Sequence, residues 1–119
     1  MALILVIDDA STVRDLVRRM LAEAKHSVIE ANDGETGLAL FQQQHPELVI
    51  TDLIMPRMEG IETIQRLRRS DPAAKIIAMS SKGQLYLGAA EKLGANAALS
   101  KPFQPEELLA VVDRLLTPA

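Results

Sequence analysis

Asp8 and Asp9 follow directly on the apolar run Leu3-Ile4-Leu5-Val6-Ile7, and Asp52 stands two residues after Leu48-Val49-Ile50. Ser80 follows the run 75–79, and Lys101 stands just beyond Ala97-Ala98-Leu99. Taken singly, each has a bland reading: Asp and Ser behind a strand cap helices or form turns, and Lys is a solvated surface charge. Their joint placement at the ends of apolar runs points to chemistry. Three carboxylates gathered in one place repel by roughly 1 kcal/mol per pair in water, and by more in a cleft. A hard divalent cation removes that cost, and Mg²⁺ characteristically takes one or two carboxylates, waters and a phosphate oxygen. Lys101 adds a point charge for a phosphoryl oxygen, and the Ser80 hydroxyl can donate to another. No nucleotide cradle accompanies them: there is no G-x-x-x-x-G-K-[ST], and Gly34 and Gly37 do not make a G-x-G-x-x-G. A phosphoryl group must then arrive on another molecule, and a carboxylate can itself be the nucleophile, forming an aspartyl phosphate.

The elements that must position these residues are legible in the periodicity. Five short β-rich runs, at 3–7, around Val28-Ile29, at 48–50, at 75–79 and at 97–99, alternate with helical stripes. The first stripe has Ser11 as its expected N-cap, with Val13, Leu16, Val17, Met20, Leu21 and Ala24 on one face. Further helices are expected at about 35–44, 59–70 and 84–93. A last one opens on Pro105, with Leu108, Leu109, Val112, Leu115 and Leu116 inward. A β-α unit repeated five times implies an α/β protein with a parallel sheet, helices on both faces and right-handed crossovers. The first, third and fourth strands are the most apolar and belong at the centre, with the second and fifth at the edges. A crevice then opens at the carboxyl ends of the first and third strands, if the chain winds opposite ways from the first.

Composition narrows the function classes. The 119 residues suit one domain, 1–119, and 48% hydrophobic content argues against disorder. With no cysteine, disulfides, thiolate metal sites and cysteine nucleophiles are excluded. A net charge of −3, from 13 Lys+Arg against 16 Asp+Glu, fits poorly with gripping nucleic-acid phosphates. The run before Asp8 is too short for a signal-peptide core or a membrane span. The expectation is a cytoplasmic protein with neither a nucleic-acid nor a membrane partner.

Asp8-Asp9, Asp52 followed by Met55-Pro56, Ser80, and Lys101-Pro102-Phe103 together resemble the signature of two-component response-regulator receiver domains, across essentially the whole chain. The resemblance implies a flavodoxin-like (βα)5 three-layer sandwich with strand order 2-1-3-4-5. It implies that Asp52 is the phosphate acceptor, and that Asp9, Asp52 and the backbone carbonyl of Ile54 ligate Mg²⁺ (or Mn²⁺). Asp8 would act mainly through a metal-bound water, Ser80 would bind the phosphoryl group after transfer, and Lys101 would pair with Asp52 and then with its phosphate. The Lys101-Pro102 bond is expected to be cis. The implied partners are a histidine kinase or phosphotransfer protein, docking at the first helix, and a downstream target on the face of the fourth helix, fifth strand and fifth helix. Such a chain is no enzyme toward other substrates: it catalyses only its own phosphorylation and dephosphorylation. Ending just past the fifth helix, it reads as a stand-alone chemotaxis-regulator-like domain, or as a receiver cut from a longer chain.

Two positions depart from the family pattern. Ala98 stands where the fifth strand often carries Tyr or Phe, which puts an aromatic rotamer switch in doubt; Tyr86 is not assumed to replace it. Ile54 stands where polar residues are frequent, and is expected to slow loss of phosphate by obstructing a hydrolytic water unless Lys82 offsets it. Arg14, Arg18 and Arg19, with Asp15 among them, read either as a solvated face or as partner recognition. His26 and His45 read as turn and surface residues. A metal-dependent phosphohydrolase would want a second acid where Ile54 stands. A flavin carrier would not place Asp8-Asp9 beside its phosphate.

Overall fold

The computed structural model describes residues 1–53, 55, 60–81 and 84–117, the side chains of 84–87 excepted. Ten elements alternate: β1 Leu3–Ile7, α1 Ser11–Glu23, β2 Ser27–Ala31, α2 Gly34–Gln44, β3 Leu48–Asp52, α3 Gly60–Ser70, β4 Ile76–Ser80, α4 Gln84–Lys92, β5 Ala97–Ser100 and α5 Pro105–Leu116. All four strand pairings are parallel, in the order β2-β1-β3-β4-β5. The central strands β3 and β4 are buried along their whole length, whereas the edge strand β2 exposes Ser27 and Glu30 and buries only Ala31. Composition therefore sorts the strands, because a central parallel strand is covered on both faces.

Two apolar cores lie against the two faces of the sheet. Ile4, Val6, Leu48, Ile50, Ile77, Met79, Ala97 and Leu99 pack with Val17, Met20 and Leu21 of α1 and with Leu108 and Val112 of α5. Leu5, Ile7, Val49, Ile76 and Ala78 pack with Leu38 and Phe41 of α2, Ile64 and Leu67 of α3 and Ala90 of α4. Strand side chains alternate between faces. Asp8, Asp52 and Lys101 thus continue the phase of the α1/α5 side in β1, β3 and β5, while Ser80 falls on the opposite phase in β4. Gly37 lets α2 close on β1, since a Cβ there would lie 2.4 Å from Ile7 Cδ1.

Two details of the helices differ from expectation. Helix α1 begins at Ser11, so Ala10 occupies the cap position with no side-chain cap; Val13 and Arg14 donate to its carbonyl. Leu16 is 54% exposed, unlike its neighbours in the stripe, because it sits at the edge of the stripe over the gap between α1 and the chain after β5. The cap of α2 is Asp33, which accepts from Thr36 N at 2.7 Å, and Pro105 opens α5 as expected. His45 closes α2 in the left-handed conformation (φ 50°), and the ring of His26 accepts from Ala2 N, so both are turn residues.

Candidate functional site

The sheet order reverses at β1, with β2 on one side and β3 on the other, and the acidic residues stand at the carboxyl ends of β1 and β3. That is the crevice where open α/β sheets take ligands. One carboxylate oxygen from each of Asp8, Asp9 and Asp52 lies within 4.8 Å of the other two. Asp8 and Asp52 are buried, at 1% and 8% exposure, while Asp9 faces solvent. An all-oxygen acidic set open on one side fits a hard divalent cation that keeps several waters.

Lys101 closes the other side of the cluster. Its Nζ lies 2.9 Å from Asp8 Oδ2 and 3.2 Å from Asp52 Oδ1. Sequence reasoning expected the pair with Asp52; the bond to Asp8 is an addition. Lys101 N donates to Ser80 O at 2.8 Å, so the β4 end fixes where the Lys backbone starts, and the Lys101-Pro102 peptide is cis. Asp8 Oδ1 accepts from Ala10 N at 2.9 Å, leaving that carboxylate held at both oxygens. Burial pushes the Asp52 carboxyl above its ordinary 3.8, the charge of Asp8 adds to this, and Lys101 opposes both. For Lys101, burial pulls its pKa down, but the hydrogen bond to Asp8 and the charge of Asp52 outweigh it, and the net direction is up. The ammonium is therefore cationic throughout the neutral range.

Ser80 is buried at the end of β4, and Ser81 beside it is exposed. Ile54, with its backbone carbonyl, lies outside the described residues, as do Pro56, Lys82 and the side chain of Tyr86. Ala98 is partly buried against the α2–α4 side core. Beside the acidic cluster, Val13, Leu16, Val17, Pro102 and Phe103 line an apolar groove of about 220 Å³ that reaches Lys101.

Sequence reasoning missed Gly60, and read Arg14 only as part of a charged face. A Cβ at Gly60 would lie 2.0 Å from the Asp52 carbonyl oxygen, and Gly60 N donates to Leu53 O at 2.8 Å, so α3 starts in contact with the end of β3. A lone Gly ahead of a helical stripe was the available signal. Arg14 donates from Nη1 to the Asp8 carbonyl at 2.7 Å and from Nε to Glu30 Oε1 at 3.1 Å, which separates it from the more exposed Arg18 and Arg19, both paired with Asp15 on their own helix. Nothing in the spacing distinguished it.

The sequence pattern of the response regulator receiver domain matches residues 4–113. The chain is 32% identical to the chemotaxis protein CheY of Thermotoga maritima over 114 residues, covering 94% of this chain and 95% of that one. It is 39% identical to the DNA-binding dual master transcriptional regulator RpaA of Synechocystis, covering 95% of this chain but 48% of that one. The chain thus spans about half the length of the transcriptional regulators it matches. Among solved structures, Vibrio cholerae chemotaxis protein CheY4 superposes with a TM-score of 0.90 at 31% identity, covering 98% of this chain and 99% of that one.

Proposed function

The chain belongs to the response-regulator receiver domain family, and from that premise we propose that it takes a phosphoryl group onto Asp52 from a phosphohistidine donor and signals through protein contacts. The observation that carries this reading is Lys101 Nζ held between Asp8 and Asp52 beside three clustered carboxylates. An Asp52 oxygen attacks phosphorus in line, the P–N bond to the donor imidazole breaks, and the product is an acyl phosphate on Asp52. Mg²⁺ (or Mn²⁺), held by Asp9, Asp52 and the backbone carbonyl of Ile54 with Asp8 in the outer sphere, would neutralise charge on the transferring group. The grip of Lys101 and Ala10 on both Asp8 oxygens supports that outer-sphere role. Lys101, already beside the Asp52 oxygen, passes to a phosphoryl oxygen as charge grows there. Ser80 donates to another. The phosphoryl group brings added negative charge and three acceptor oxygens, which bias a two-state equilibrium on the α4–β5–α5 face. With Ala98 in place of an aromatic residue, movement of Ser80 and the chain after β4 carries the response. The histidine kinase or phosphotransfer protein docks on α1, and the chain catalyses only its own phosphorylation and dephosphorylation.

Intact-mass spectrometry after incubation with acetyl phosphate and Mg²⁺ tests the assignment. The expected result is one phosphoryl adduct (about +80 Da) on the wild type, dependent on the cation and absent from Asp52→Asn. An adduct that persists in Asp52→Asn moves the acceptor elsewhere. No adduct from either acetyl phosphate or a phosphorylated histidine-containing donor overturns the reading.

A further inference from the structure

Asp8 is the first residue beyond β1, and its carbonyl lies past the last register pairs of both ladders, Ile7↔Ala31 and Ile7↔Thr51. Its N–H donates to Ala31 O at 3.1 Å and its carboxylate is held by Ala10 N and Lys101, so the carbonyl is the remaining handle on this peptide. Arg14 takes that handle. It stands one turn into α1, where helical side chains lean toward the N-terminus, and its Nη1 donates to Asp8 O at 2.7 Å. Its Nε is aimed by Glu30 Oε1 on β2 at 3.1 Å, while Arg18 Nε reaches the other Glu30 oxygen at 3.7 Å. The Arg14 side chain is 18% exposed against 41% for Arg18 and 71% for Arg19, so it is the inward member of the basic face.

We propose that Arg14, oriented by Glu30, is a positioning residue that fixes the Asp8-Asp9-Ala10 turn in the pose that holds the divalent cation. The inference rests on the reading of the acidic cluster as a cation site. Charge and position here act with opposite signs, which makes the role testable. A guanidinium near a cation site repels the cation, so as a mere charge its removal tightens binding. As the clamp on the Asp8 carbonyl, its removal frees the turn and weakens binding.

Isothermal titration of metal-free protein with Mg²⁺ alone, for the wild type, Arg14→Met and Arg14→Lys, reads the sign. Arg14→Met is expected to raise the Kd about tenfold, at the low end of losses from outer-shell changes, with most of the affinity recovered in Arg14→Lys. An unchanged or lower Kd in folded Arg14→Met overturns the proposal. Amide exchange at Ala10 in the metal-free protein gives a second reading, because that N–H is held by Asp8 Oδ1. It is expected to speed up in Arg14→Met, and also in Glu30→Gln, which keeps the guanidinium and serves if Arg14→Met does not fold. Unchanged Ala10 exchange in a folded variant overturns the proposal. A wild type that binds no Mg²⁺ would count against the cation site itself, and the metal-free Ala10 exchange would still decide whether Arg14 holds the turn.

Discussion

Burial of Asp52 beside Asp8 makes its charge costly, and the ammonium of Lys101 offsets that cost only in part, which is why the carboxyl is pushed above 3.8. A group bound more tightly to its proton in the folded state lowers stability as it ionises. The Asp52 charge therefore costs nothing below pH 3.8, and its full penalty applies above the raised value. Lys101 has its own window: its raised pKa contributes stability at every pH below 10.5 and loses it as pH climbs through the raised value. Between these limits lies a prediction at the residue scale. Metal-free Asp52→Asn is expected to be more stable than the wild type at pH 7–8 by about 1 kcal/mol, the size of one like-charge contact near water. The gap should close as pH falls toward 3.8. Urea unfolding of both proteins across pH 4–8 checks it, and a variant less stable than wild type at neutral pH would reverse the account.

At the scale of elements, two glycines in helices separate local propensity from close approach. Gly88 in α4 has nothing within 4 Å of a built Cβ, whereas the Cβ of an alanine at Gly60 would lie 2.0 Å from Asp52 O and 2.4 Å from Leu53 Cα. Gly88→Ala is expected to raise stability by about 0.5–1 kcal/mol, the ordinary helix-propensity gain. Gly60→Ala is expected to lower it by about 1–3 kcal/mol through overpacking and to slow phosphoryl transfer, since the displaced backbone belongs to Asp52, the proposed acceptor. Thermal melts with adduct formation on the same samples check both signs. Such contacts explain what could be read beforehand. Strand identity and central against edge placement follow from the apolar content of each short run, a local property, whereas the shared phase of Asp8, Asp52 and Lys101 shows only once the two faces of the sheet are known. Asp33, the cap of α2, went unnamed in the sequence reading although Asp is a favoured cap residue. Exposure of Leu16, the closeness of Gly60 to Asp52 and the bond from Arg14 to the Asp8 carbonyl depend on distances between segments that are remote in sequence or on the tilt of one helix. No spacing rule reports those.

For the molecule as a whole, a cation held by the acidic cluster, as proposed, would make stability and cation binding one equilibrium. The carboxylates of Asp8, Asp9 and Asp52 are together only because β1 and β3 are neighbours in register, Ile7 opposite Thr51. Unfolding separates them by more than 40 positions in sequence, from Asp9 to Asp52, and no such site survives in the chain. A ligand that binds only the folded state stabilises it by RT ln(1 + [L]/Kd), about 2.7 kcal/mol at a hundredfold excess over Kd. For a domain of this size that corresponds to a rise in Tm of roughly 10 °C. The rise should climb with the logarithm of Mg²⁺ concentration, disappear with EDTA, and shrink in Asp52→Asn, which removes one ligand while relieving the repulsion the cation neutralises. Because Asp52→Asn starts from a higher metal-free Tm, the two melting curves are expected to cross as Mg²⁺ is added, the wild type ending the more stable. Scanning fluorimetry across a Mg²⁺ series shows the crossing directly. Parallel curves would mean that the cation acts on the surface charge of the whole chain, and not at the ends of β1 and β3.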